Sequence, residues 1–259
     1  MRGIRARQAA LALALLLLSR VTAEAALRVV SLDLCTDQML VLLAPQEIAG
    51  LSPLARDPAL SAVAQEAAHL PVVRPSAEAV LRLHPDLVLA EPYGAALVVT
   101  ALRTLGLRVV TIRDPQTFGG IRAEITRLAR LLGVRARGAV LIAAMDAVLA
   151  GLPRPTARRT AIVLEPRGFA AGPRSLAGAV LRAAGYRDAA PGGWLGLERL
   201  LVRPPDLLVL PEAAGTPSLA TDLIESPALG AIARRTVPAA WLMCGSPFAA
   251  RAAARVAAR

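Results

Sequence analysis

The sequence predicts an α/β protein of two lobes, each with a mostly parallel sheet, joined by one long α-helix. Three observations carry this expectation. Strand-type apolar runs alternate with helical patterns toward both ends of the chain, the order that lays helices over a parallel sheet. Between them, from about Thr117 to Leu152, the pattern is helical with few turn signals. The flanks also echo each other. Glu78, Leu81, Pro85 and Asp86 precede "LVLA", and Glu198, Leu201, Pro205 and Asp206 precede "LLVL" at the same spacing. "RVVSLD" near the start likewise resembles "RTAIVLEP" from Arg159. A duplicated lobe explains both matches; chance likeness between two generic helix–turn–strand units is the competing account.

The elements follow in order. Arg2, Arg5 and Arg7 precede an apolar run from Ala9 to about Ser19, and then Ala23-Glu24-Ala25. That is the three-part layout of a secretory signal peptide, assigned to residues 1–25. An uncleaved membrane anchor is the alternative, but the run is only about half of the roughly 20 residues a bilayer needs. A first lobe is expected over 26–132. It begins with a strand at Val29–Leu32, a polar loop at Asp33–Asp37 and a helix at Gln38–Ala44. A strand at Ile48–Leu51 follows, then a helix running into the Pro85-Asp86 turn and a strand at Leu87–Ala90. Helix Ala95–Leu105 closes on Gly106, and "LRVVTI" is the next strand. The connecting helix is expected over 133–154, set off by Gly133 and ended by Pro153 and Pro155. The second lobe takes 155–259.

Composition narrows the partners. Hydrophobic residues make up 55% and aromatics 3%, so Leu, Val and Ala must supply the core. Every basic side chain is Arg. Loss of residues 1–25 would take four Arg and Glu24 from the 30 basic and 19 acidic residues, lowering the net charge from +11 to +8. The Arg residues are scattered, with no continuous basic stripe and few aromatics for stacking, so a nucleic-acid partner is not expected. The charge still favours anionic ligands by raising their local concentration. Despite a mean hydropathy of +0.52, the best internal apolar stretch, "AVLIAAMDAVLAGL", is short and contains Asp146.

The chemistry of an enzyme is not visible. The sequence contains no G-x-S-x-G elbow, P-loop or H-E-x-x-H. Asp33 and Asp37 could be read as a carboxylate pair, but Asp33 or Thr36 is better placed to cap the following helix. His69 and His84 lack metal-motif spacing, and His84 reads as a surface turn residue. No catalytic residue, resident metal or cofactor is expected.

In an open α/β sheet, ligands bind outside the carboxyl ends of the strands. The candidate walls of a cleft between two lobes are therefore Asp33–Asp37, Ser52–Asp57, Glu91–Gly94, Pro166–Gly172 and Met243–Pro247. Arg56, Arg74 and Arg167 offer forks for carboxylate, hydroxamate, catecholate or propionate oxygens. Tyr93 offers a ring face, a hydroxyl or a phenolate for ferric iron. For Cys35 and Cys244 three readings stay open: a disulfide, a pair of soft ligands for a metal chelate, or two unrelated loop residues.

"RVVSLDLCTDQMLVLLA", "IAGLSPLARD", "SAEAVLRLHPDLVLA", "LRTLGLRVVTI" and "GGWLGLERLLVRPPDLLVL" together resemble the helical-backbone substrate-binding proteins of ABC importers for cobalamin, iron siderophores and haem. The resemblance implies the class III periplasmic binding protein architecture: two Rossmann-like lobes, one long helix, and ligand held between the lobes. It implies a periplasmic, monomeric protein that captures a metal chelate and docks on an inner-membrane ABC permease. It places Cys244 on the wall opposite Cys35. It also puts Phe169 where an aromatic is expected, with Trp194 as a second and Trp241 in the segment before Cys244. At Leu54, Val72 and Glu91 this chain lacks the aromatics that line cobalamin-binding clefts. With Asp33 and Thr36, these residues complete the expected ligand surface. The family's acidic docking residue on the first lobe falls on Ala96, so Glu91, and Glu212, Asp222 or Glu225 on the second lobe, are the substitutes. An exported chelate-processing enzyme, or a sensor on the same scaffold, is the alternative.

Overall fold

The computed structural model describes residues 27–153, 159–212 and 226–258. The expected signal peptide, and Asp222 and Glu225, lie outside these.

The chain begins with β1 (Val29–Ser31), α1 (Leu34–Leu43) and β2 (Ile48–Gly50). Short helices α2 (Ala64–Ala67) and α3 (Ala77–Leu81) lead to β3 (Leu87–Ala90), α4 (Ala96–Thr104) and β4 (Val109–Thr111). These strands form a parallel sheet in the order β2-β1-β3-β4. β3 is buried along its whole length, as a strand covered on both faces must be, which is why it reads as an unbroken apolar run.

α5 (Phe118–Leu131) and α6 (Arg135–Ala150) follow. The Thr117 hydroxyl caps α5 by accepting from Gly120 N at 3.0 Å. Gly133, at φ +72°, ends it in the left-handed conformation that glycine adopts without a Cβ clash.

β5 (Thr160–Val163) opens the second parallel sheet. After it come β6 (Phe169–Ala170), α7 (Leu176–Ala183), β7 (Arg187–Asp188), β8 (Gly193–Trp194) and α8 (Leu197–Val202). β9 (Leu207–Glu212), β10 (Arg234–Pro238) and α9 (Phe248–Ala257) complete the described chain. The sheet order is β10-β9-β5-β7, and β6 and β8 pair separately as an antiparallel ribbon.

Read outward from its first strand, each parallel sheet has the same order. β1 has β2 on one side, and β3 then β4 on the other; β5 has β7 on one side, and β9 then β10 on the other. The sequence echo has a matching physical role. Asp86 Oδ2 accepts from Arg28 N at 2.8 Å, beside the start of β1. Asp206 Oδ2 accepts from Thr160 N at 2.6 Å, at the start of β5. In each lobe the aspartate after Pro fastens the leading edge of the neighbouring strand. Glu78 and Glu198, expected to brace these turns, differ. Glu78 forms an exposed ion pair with Arg82 at 3.1 Å, a contact of little energetic weight. Glu198 lies beside the backbone of Gly196.

One apolar core runs through both lobes. Leu40 of α1, Leu128 of α5, Met145 of α6, Leu181 of α7 and Val256 of α9 belong to it. Separate clusters serve the outer faces: Val30, Val88 and Leu102 in the first lobe, and Leu164, Leu200 and Leu208 in the second. The lobes therefore share packed interior as well as a connecting helix.

α1 starts earlier than the sequence pattern indicates. The polar run to Asp37 is its first turn, because Asp33 caps it and Asp37 is buried against Ser52.

Candidate functional site

The carboxyl ends of β1, β3 and β4 carry the turns at Asp33, at Glu91–Gly94 and at Asp114–Gln116. The end of β5 carries Glu165 and leads into the β6–β8 ribbon. A cavity of about 170 Å³ opens between them, lined by Asp114 and Gln116 from the first lobe and by Val163, Glu165, Ser175, Leu176 and Met243, among others, from the second. Strand ends of both sheets thus border a shared hollow.

The hollow is bridged by specific contacts. Cys35 and Cys244 form a disulfide with a Cα–Cα distance of 5.3 Å across 209 positions of sequence. Gly245 N donates to Asp114 Oδ1 at 3.1 Å, and Leu176 N donates to Gln116 Oε1 at 2.9 Å. Ser246 Oγ and Gln38 Oε1 are 3.4 Å apart, with the hydroxyl as donor. Of the three cysteine readings, the disulfide is the arrangement in the structure. Cys35 and Cys244 are buried, and their sulfurs are joined to each other, so they are not the soft ligands one alternative proposed.

Several residues expected at a ligand surface are instead engaged in contacts within the protein. Asp33 is buried; its carboxylate accepts from Glu91 N at 2.8 Å and fills the space where a Cβ on Gly94 would go. Thr36 is fully buried, 2.6 Å from Ser31 Oγ, and donates to Asp33 O at 2.7 Å. The Arg56 guanidinium donates to Leu70 O at 2.6 Å and Ala67 O at 3.3 Å, which ties down its own loop. Trp241 is half-buried and packs on the shared core. For the polar residues these corrections have one cause. Buried backbone groups at loop ends need partners, and polar side chains nearby supply them before any ligand can.

The other expected residues face outward. Tyr93 is 93% exposed and Trp194 69%, while Leu54 and Val72 are also exposed on the first lobe. Trp194 meets Phe169 edge to face across the ribbon, with ring centroids 5.4 Å apart, so the pair forms a held apolar platform. Arg74 and Arg167 are exposed, and Arg167 has φ +63°, in the left-handed region. Glu212 is exposed at the end of β9. His84, exposed in the Pro85 turn, has φ +45°.

Glu91, expected as a docking residue, sits beside Asp33, which accepts from its backbone N. It is half-buried, and burial, followed by the charges of Asp33 and Asp114, raises its pKa, while a hydrogen bond from the Cys35 backbone opposes this. Burial likewise raises Asp33 and Glu165. Asp37 is pushed up to about 7 by burial, against hydrogen bonds from Ser31 and Ser52. Sequence reasoning missed Asp114, Gln116 and Glu165. Their only local signal was polarity just after an apolar strand, which many loops share. Among the described residues, no group of three or more His, Cys, Asp or Glu is placed to hold a metal ion.

Twin α/β lobes bordering a common hollow define a two-lobed binding protein. The periplasmic binding protein family matches residues 29–234, and the chain belongs to that family. No curated protein matches the sequence. Among solved structures, the periplasmic haem-binding protein HutB of Vibrio cholerae superposes with a TM-score of 0.73 at 18% identity, covering 90% of this chain and 98% of that one. A periplasmic haem-binding protein from Pseudomonas aeruginosa gives 0.69 at 20% identity, over 89% and 91% of the two chains. An ABC-type Fe3+-hydroxamate transport protein from Saccharomonospora viridis gives 0.64 at 22% identity, over 88% and 91%. At these identities the likeness establishes the fold: two α/β lobes of the class III type. Among the described residues, no helix is long and apolar enough to cross a membrane.

Proposed function

We propose that this chain is the exported solute-binding component of an ABC importer and that it carries a metal chelate of the haem, ferric siderophore or cobalamin class. The observation that carries the reading is the hollow shared by the strand ends of both lobes, together with exposed apolar and aromatic side chains on each lobe: Tyr93, Leu54 and Val72 on the first and the Phe169–Trp194 platform on the second. Flat apolar faces with a few polar groups suit a large, mostly apolar planar ligand. The similar structures include a haem-binding protein and a Fe3+-hydroxamate transport protein, which supports the same class.

Within this reading the ring of Trp194 stacks on the ligand and Phe169 keeps it in place. Tyr93 supplies a phenol for iron or a ring face. Arg74 and Arg167 answer peripheral carboxylates or hydroxamate oxygens. The ligand would be released unchanged to a permease, with exposed Glu212 as a docking contact on the second lobe. The lobes are assigned to 26–132 and 155–259, with 133–154 as the connector. The protein acts as a monomer in the periplasm after loss of residues 1–25.

A thermal-shift screen of the mature chain against haemin, a ferric hydroxamate siderophore and cyanocobalamin tests the proposal. A true ligand at 100 times its Kd adds roughly 2.7 kcal/mol of stability. No shift with any of the three, up to their solubility limits, would sink it.

A further inference from the structure

We propose that the Cys35–Cys244 disulfide is a positioning device: a covalent brace that sets the width of the cleft, so that cargo enters and leaves a preformed slot and the lobes do not swing. The inference deepens the reading of the cleft as the cargo site and rests on it.

The placement of the bond is the first argument. Cys35 lies in the first turn of α1, directly after the first strand of one lobe. Cys244 lies between β10 and α9, beyond the last strand of the other. The bond therefore fastens two strand-end turns to each other across the hollow. α6 already joins the lobes along the chain. The shared core also holds them, but packed side chains can still slide and rock; a covalent tie at the strand ends, on different segments, removes that freedom.

The surroundings make the second point stiff. Gly245, beside Cys244, is so close to the Pro115 backbone that a Cβ there would collide with it. The same glycine donates to Asp114, and Leu176 donates to Gln116, so three separate ties cross the junction within a short stretch of the β4–α5 loop and α1. Both sulfurs are buried, Cys35 at 9% and Cys244 at 1% exposure, which shields the bond from solvent reductants. Next to it, Met243 is 46% exposed and lines the hollow, so the brace adjoins the surface whose spacing it would set.

The test uses the full mature chain in non-reducing buffer, beside two variants, Cys35→Ser with Cys244→Ser and Cys35→Ala with Cys244→Val. The second suits the apolar, buried surroundings better. Small-angle scattering and amide exchange are recorded without ligand and then with haemin, a ferric hydroxamate and cyanocobalamin. In the parent, the radius of gyration should be the same with and without a bound probe. In the variants it should be larger without probe and contract on binding. Exchange at Gln116 and Leu176 should rise at least about tenfold, and probe dissociation should be about tenfold faster. Scattering and exchange that match the parent would overturn the proposal, as would loss of folding in both variants, since the bond would then serve the fold and not the cleft. The ligand-free arm separates the two readings: failure of every probe to bind counts against the cargo role, while scattering and exchange still decide the brace.

Discussion

The two lobes share a sheet order but arm their strand ends differently. In the first lobe, the turns after β1, β3 and β4 are short and acidic, and their polar groups satisfy one another: Asp33 holds the Glu91 amide, and Asp114 holds Gly245 of the other lobe. In the second lobe, the chain after β5 makes a detour into the β6–β8 ribbon and uses it to display an aromatic pair. The first lobe's strand ends form a floor and the second lobe's carry a platform. A common architecture thus leaves room for different chemistry on each side, because the sheets need only the strands, while the turns beyond them are free to vary.

The strongest test of this division concerns the core the lobes share. Leu128 is fully buried in the cluster that spans both, whereas Leu102 and Leu164 are buried in clusters private to one lobe each. Each Leu→Ala change should cost about 2–5 kcal/mol. Denaturant unfolding followed by probes in each lobe should show Leu128→Ala lowering both transitions together, with the private changes weakening their own lobe first. Equal, lobe-independent effects from all three would dissolve the distinction.

A pH effect comes next. The fourth helical position is Asp37 in α1 and the buried Ala179 in α7, so only the first lobe buries a carboxyl there. Its pKa is about 7 when folded, against the ordinary 3.8. Between these values the folded chain keeps a proton that the unfolded chain has lost. This contribution to stability is therefore present at low pH and disappears as pH rises from about 4 to 7. Asp37→Asn should flatten that slope by a few kcal/mol at most, measured by urea unfolding at pH 4.5 and 7.5. An unchanged slope would mean the carboxylate is better solvated than its burial implies.

For ligand binding, Trp194→Ala should weaken capture about tenfold or more with little change in melting temperature, since the ring is 69% exposed and contributes little to the fold. Leu54→Ala, on the first lobe, should cost only a few-fold. Titration of the ligand found in the thermal screen compares them, and a larger loss at Leu54 would reverse the assignment of platform and floor. The smallest expected effect belongs to the repeated aspartates. Asp206 accepts from both Thr160 N and Thr160 Oγ, while Asp86 accepts from Arg28 N. Both sites are exposed, so each Ala change should cost about 1 kcal/mol or less, with Asp206 the greater. These hydrogen bonds lower the pKa of Asp206, so its contribution is present above pH 3.8 and fades as pH falls below it. Equal losses at Asp86 and Asp206, measured by urea unfolding, would remove the asymmetry.

The fold was largely readable because it rests on local patterns. β3 was placed at Leu87–Ala90 from its apolar run, and Gly106 and Gly133 marked turns that do take positive φ. The echo around Asp86 and Asp206 exposed the repeated order of the sheets. The site was less readable for a physical reason. Whether Arg56 meets a ligand or a carbonyl depends on where Leu70 falls in space, and no spacing in the chain records that. Polarity in a loop marks a need for hydrogen bonds without saying who meets it. Phe169 and Trp194 are 25 positions apart in sequence, and only the pairing of β6 with β8 brings them together.

α9 follows every other described element, yet it packs on α6, α7 and β10 and contributes Ala249, Ala252, Ala253 and Val256 to the interior common to both lobes. The interior common to both halves cannot close until that last segment is in place. A polypeptide of this design would remain an open intermediate until almost all of it has been made.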